Sequence, residues 1–184
     1  ALNYIGYTAT PYANVLNEKP GPGSVYPSNF VCCLPVAKTY IGPQHIFGIE
    51  GTNVDGMNII NNVNADDVRE IENVYKGFSK MPQKLENALL WFYCCLAVRR
   101  FQNVNKPVSM LIHTSQLQTH HELLGKLIKK WFGSLDVISF LKRCETVYKK
   151  ETSQFTLRDF KQSYVDYDSD FILDYPKFSD ITNI

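Results

Sequence analysis

The stretch that opens at Pro82 constrains the chain most. From there to about Gln102, Leu85, Leu89, Phe92 and Leu96 recur at spacings of three and four, the period of one face of an α-helix. Proline suits the first turn, where its missing N–H is not needed. Arg99-Arg100 sit at the carboxyl end, where the helix dipole favours cations. Its apolar run, Ala88 to Val98, is too short and too polar-flanked to span a bilayer. The apolar face must therefore be covered by other elements of a folded protein.

Three further helices are predicted. Asn64-Ala65-Asp66-Asp67-Val68 reads as a capped start, with acids in the first turn, and ends near Gly77. A second helix runs from about Gln118 to Phe132, with Leu124, Leu127, Ile128 and Trp131 inward and Lys126, Lys129 and Lys130 outward. A third covers about Leu135 to Lys149. Other segments read as strands: residues 2–8, closed by Thr8-Ala9-Thr10-Pro11; Phe30 to Val36; and Val108 to His113, where Met110 and Ile112 alternate with Ser109, Leu111 and His113. Gly42-Pro43 marks a turn, residues 17–29 and 50–63 read as loops, Thr156–Phe160 as one helical turn, and Asp170–Tyr175 as a strand.

Strands followed by helices favour an α/β fold with a parallel sheet flanked by helices. Ligands of such sheets gather at the carboxyl ends of strands. Two polar strand ends are expected there: Thr8 with Thr10, and His113 with Thr114 and Ser115. Amides at the start of the following helix would help hold a phosphate. The plainer reading of His113 is a hydrogen-bonded structural histidine.

The chain has 184 residues and is 45% hydrophobic and 20% charged, which excludes a disordered or low-complexity protein. No basic-then-apolar start resembles a signal peptide. The chain begins at Ala1 without a methionine, on an apolar segment, as a piece of a longer protein would. Net charge is only +1, but it is uneven: residues 82–150 hold 11 Lys+Arg and 4 Asp+Glu, a net of +7. Residues 1–81 hold 5 and 7, and residues 151–184 hold 3 and 7. A basic middle between acidic ends suits a phosphate-facing surface. Its simpler meaning is solvated helix faces at Lys129, Lys130, Lys149 and Lys150.

Cys32-Cys33 and Cys94-Cys95 are vicinal, Cys144 stands apart, and no Cys-x-x-Cys spacing occurs. Thiols used as small apolar fillers in a reducing, cytoplasmic protein are expected. Lys142 and Arg143 beside Cys144 would lower its pKa, but no base accompanies it. No Gly-x4-Gly-Lys-Ser/Thr loop, Gly-x-Gly-x-x-Gly, His-Glu-x-x-His or Gly-x-Ser-x-Gly is present. His120-His121-Glu122 cannot converge on one metal from adjacent helical positions. Asp166, Asp168 and Asp170 alternate like a calcium loop, but Phe171 and Lys177 stand where glycine and glutamate are needed.

Tyr4-Ile-Gly-Tyr-Thr-Ala-Thr-Pro-Tyr-Ala-Asn-Val-Leu16 resembles the start of the Z-one domain family, found in bacterial proteins associated with restriction endonucleases. Tyr26-Pro27, Phe30-Val31, Tyr40-Ile41-Gly42-Pro43 and Phe47-Gly48 continue the resemblance, which spans most of residues 3–130. Thr8-Ala9-Thr10-Pro11 also resembles motif III of superfamily-two helicases, and Ser109-Met110-Leu111-Ile112-His113 with Ser115 resembles their motif IV. The resemblance implies a partial RecA-like, P-loop helicase-type lobe over 82–184, joined by a strand- and loop-rich connection over 1–81. It makes Thr8, Thr10 and Pro11 motor-coupling residues, and His113, Thr114 and Ser115 phosphate-facing. DNA backbone would meet Arg99, Arg100, Lys106, Lys126 and Lys130.

The implied function is a fragment of an ATP-dependent DNA translocase of a bacterial restriction–modification system. Its parent would be a helicase-like, endonuclease-associated hydrolase using ATP and magnesium. The Walker lysine and the acidic magnesium motif are not in this sequence, nor is the later arginine-bearing segment, so no catalytic or metal residue is assigned here. A competing reading is a non-catalytic domain that holds a nuclease or ATPase partner. A third is a magnesium nuclease site at Asp66, Asp67 and Glu70, which lack a nearby nuclease-like lysine.

Overall fold

A computed structural model describes residues 5–10, 21, 31–35, 37, 40–52, 56, 59–156 and 174–182. The chain divides into two compact units, Ala1–Tyr40 and Ile41–Ile184. The second is helical: α1 (Pro43–Phe47), α2 (Ala65–Tyr75), α3 (Gln83–Phe101), α4 (Gln118–Gly133), α5 (Val137–Gln154) and α6 (Phe178–Ile181).

No strand occurs among the described residues, which overturns the expected α/β fold and with it the partial RecA-like lobe with a parallel sheet. The reason is visible at Val108–His113. Met110 and Ile112 pack against the helical core, while Leu111 is 89% exposed and His113 is exposed. Alternation marks a segment with one buried face, and a helical surface can bury that face as well as a sheet can. Residues 5–8 and 31–35 are likewise irregular, and Pro43–Phe47 is a helical turn. The turn expected at Thr156–Phe160 and the strand at Asp170–Tyr175 lie largely outside the described residues. Asp174 and Tyr175, which are described, are not in a strand.

The four long helices, α2 to α5, are where the pattern places them, with α5 running on to Gln154, and their ends are chemically specified. Asn64 Oδ1 accepts from the amides of Asp66 and Asp67, and Asp67 Oδ2 accepts from the Asn64 amide, a reciprocal cap that opens α2. Gly77, at φ 92°, closes α2: the Phe78 amide reaches Asn73 O and the Gly77 amide reaches Val74 O. The Gln83 amide, first of α3, donates to Glu70 Oε2 at 2.9 Å, so a residue of α2 caps α3. Asn103, at φ 59°, closes α3 in the same manner as Gly77. Asp136 caps α5 through the amides of Ile138 and Ser139.

Helix α3 packs against α2, α5 and α6, and α2 also packs against α4. Surrounded in this way, α3 buries Leu85, Leu89, Leu90 and Cys94 on more than one side. Phe92 and Leu96, expected inward, are half-buried. The core is completed by Val74 from α2, by Leu124, Leu127 and Trp131 from α4, by Cys144, Val147 and Tyr148 from α5, and by Ile181. The Tyr148 hydroxyl donates to Pro176 O at 2.8 Å, and its ring meets Tyr175 and Phe178, which docks residues 174–182.

One polar cluster crosses this core. Glu86 of α3 accepts from Trp131 Nε1 of α4 at 2.7 Å and pairs with Arg143 of α5, whose guanidinium also lies 5.9 Å from the Trp131 ring centroid. Glu86→Ala is expected to lower unfolding free energy by about 2 kcal/mol, since it strands the Arg143 charge and the Trp131 N–H. Glu86→Gln, which still accepts from Trp131, should lose less. Urea unfolding of the two variants checks the order.

Candidate nucleic-acid interface

The basic middle of the sequence becomes a surface on α4. Leu124, Leu127 and Trp131 face the core, and at 100° per residue Lys126, Lys129 and Lys130 fall on the opposite side. All three lysines are exposed. Among the described residues, Lys84, Arg99, Lys106, Lys126, Lys129, Lys130 and Lys142 have no carboxylate within ion-pair distance. Lys149 and Lys150 do, from Glu145 and Glu151. Arg100 is exposed but partly used: its guanidinium donates to Asn105 Oδ1 at 3.0 Å and to Val104 O at 3.4 Å, helping to close α3. Arg99 and Lys106 are exposed beside it.

The segment 113–121 forms a polar knot between α2 and the start of α4. The Tyr75 hydroxyl donates to Thr114 Oγ1 at 2.7 Å, which leaves the Thr114 hydroxyl proton free to donate elsewhere. Ser115 Oγ lies 2.9 Å from His120 Nδ1 and accepts from the Leu117 amide at 3.2 Å. The His120 ring stacks on Tyr75, with centroids 3.9 Å apart and planes 7° from parallel. His113 and His121 lie 5.5 Å apart, ring to ring. The first turn of α4 has no side-chain cap. Sequence reasoning did not foresee Tyr75 here; its position at the last turn of α2 is the one clue, visible only once α2 and α4 are known to pack together.

The other sequence candidates fall elsewhere. Thr8 and Thr10 lie in the Ala1–Tyr40 unit, where the Thr10 amide donates to Thr8 Oγ1 at 3.0 Å, and Pro11 lies outside the described residues. Asp66 pairs with Arg69, Asp67 caps α2, and Glu70 pairs with Lys80 and caps α3, so each carboxylate has a structural partner. Among the described residues no three His, Cys, Asp or Glu side chains converge as metal ligands. The Asp166–Asp170 run lies outside them.

The family model of the Z1 domain matches residues 84–183. The chain belongs to the Z1 domain family. The matched span holds α3, α4, α5 and the His113–Ser115 segment, while Thr8 and Thr10 precede it. No curated protein and no solved structure matches the chain. Among the described residues no helix is long and apolar enough to cross a membrane.

The thiols of the chain separate by burial. Cys94 and Cys144 are buried, and the Cys94 thiol donates to Cys144 O at 3.6 Å. The bond to Cys144 and burial push Cys94 far up. Burial and the Glu151 carboxylate push Cys95 up to about 11. Cys32 and Cys33 are exposed. At pH 8 a thiol reagent is expected to modify Cys32 and Cys33 quickly, half-buried Cys95 slowly, and buried Cys94 and Cys144 only on unfolding. Because Cys95 holds its proton more tightly folded than unfolded, its contribution is full below pH 9 and is lost as pH rises toward 11. Urea midpoints measured across that interval check the sign.

Proposed function

We propose that this Z1 domain is a non-catalytic helical module that holds DNA backbone within an ATP-dependent, restriction-type DNA-processing protein. The observation that carries the reading is the unpaired lysine stripe Lys126, Lys129 and Lys130 on the outer side of α4. Three exposed ammoniums on one face neutralise phosphates without reading sequence. Arg99, Arg100 and Lys106 extend the basic surface at the end of α3. Thr114 offers its free hydroxyl proton to a phosphate near the uncapped start of α4, with Ser115 and His120 fixing the turn and His113 beside it. ATP and magnesium are assigned to the parent's other domains, because this sequence holds no phosphate-binding loop.

A second reading, a protein-docking domain for a nuclease or ATPase, draws on α5. Val137 and Ile138 are 72% and 82% exposed, and Leu141 on the same face is also exposed. The two readings are compatible: one face for backbone, one for a partner.

The test is the salt dependence of duplex DNA binding. The plot of log affinity against log salt should be steep and linear. Replacing all three α4 lysines by glutamine should reduce its slope by about 2 to 3, since each phosphate left without its ammonium removes about 0.9. A flat plot, or a slope unchanged in the triple variant, contradicts the proposal. The purified chain is also expected to show no DNA-stimulated ATP turnover, measured as phosphate release.

A further inference from the structure

A groove of about 330 Å³ opens beside α3, away from anything the proposed function uses. Its aromatic walls are Trp91 and Phe92. Lys84, Asn87, Lys150 and Glu151 supply the polar ones. Lys84, Asn87 and Trp91 stand at spacings of three and four, so a single face of α3 presents an ammonium, an amide and an indole together. We propose that this groove binds one nucleoside phosphate, its base against Trp91 and Phe92 and its phosphate between Lys84 and Lys150.

The size sets the class. The volume lies at the low end of the roughly 300–1,000 Å³ of small-molecule sites, enough for one nucleotide and too little for duplex. The charges narrow it. Lys84 has no carboxylate partner among the described residues, and Lys150 lies 3.8 Å from Glu151, a loose pair that a phosphate can share. Glu151 accepts from Asn61 Nδ2 at 3.3 Å and is mostly buried. Its negative charge disfavours a bare polyphosphate, whereas a base with N–H donors gives it a hydrogen bond. Aromatic faces beside cations are the means by which proteins hold unstacked bases. Free nucleotide and an unpaired residue of a single strand share this chemistry.

Tryptophan fluorescence reads the site directly, because the chain has two tryptophans and Trp131 is buried in the core. The full chain is titrated with guanosine, cytidine and uridine monophosphates, with single-stranded oligodeoxycytidine and with inorganic phosphate. Quenching is expected, stronger for guanosine and cytidine than for uridine monophosphate, and it should vanish in Trp91→Phe. The double variant Lys84→Gln/Lys150→Gln should weaken binding at least fivefold, while the α4 triple variant leaves mononucleotide quenching unchanged. Quenching by mononucleotides identifies free nucleotide as occupant, and quenching by the oligonucleotide alone identifies a single strand. Three results would each overturn the proposal: no quenching by either, equal quenching by inorganic phosphate, or full affinity in the double lysine variant. The last variant stands on its own should Trp91→Phe not fold.

Discussion

The Glu86 carboxylate is the junction on which the helical unit depends. It is nearly buried, and a charge in that position is tolerated only when matched. Trp131 of α4 and Arg143 of α5 match it. The consequence reaches the surface. With the indole N–H tied to Glu86, α4 cannot roll about its axis without breaking a hydrogen bond to a charged group. Fixing Trp131 inward fixes Lys126, Lys129 and Lys130 outward. The candidate backbone-binding face is thus oriented by an interaction inside the core.

The rest of the packing follows from α3 having apolar groups on several sides. A helix of that kind needs neighbours around it, and α2, α5 and α6 supply them. Contacts beyond apolar packing help hold those neighbours in register, among them Glu70 of α2 on the first amide of α3 and Tyr148 of α5 on Pro176. A domain built in this way offers rigid faces. Its hydroxyls and imidazoles near Thr114 and Ser115 are bonded largely to one another, an arrangement suited to shaping a turn.

Helices were legible in the sequence because caps and periodicity agree locally. Asn64 with Asp67, Gly77 after Tyr75, and the three-four spacing from Leu85 each report a property of one segment. The sheet was misread because alternation at Val108–His113 reports burial of one face and says nothing about a hydrogen-bonding neighbour. The RecA-like expectation added to that error by supplying a sheet for the segment to join. Similarly, the inward stripe of α4 could be read from Leu124, Leu127 and Trp131, and so could the outward lysines. The pairing of Tyr75 with Thr114 and His120 could not, because it joins residues about forty positions apart through packing of α2 on α4.

The claim beneath all of this is that, among the described residues, the buried core is built by helices, with Val108–His113 laid over them and paired to no described strand. Amide hydrogen exchange followed residue by residue tests it most directly. The account predicts strong protection along α3 and α5 and rapid exchange throughout residues 108–113. Alternate amides of that segment protected as strongly as those of α3, the mark of a strand ladder, would contradict it.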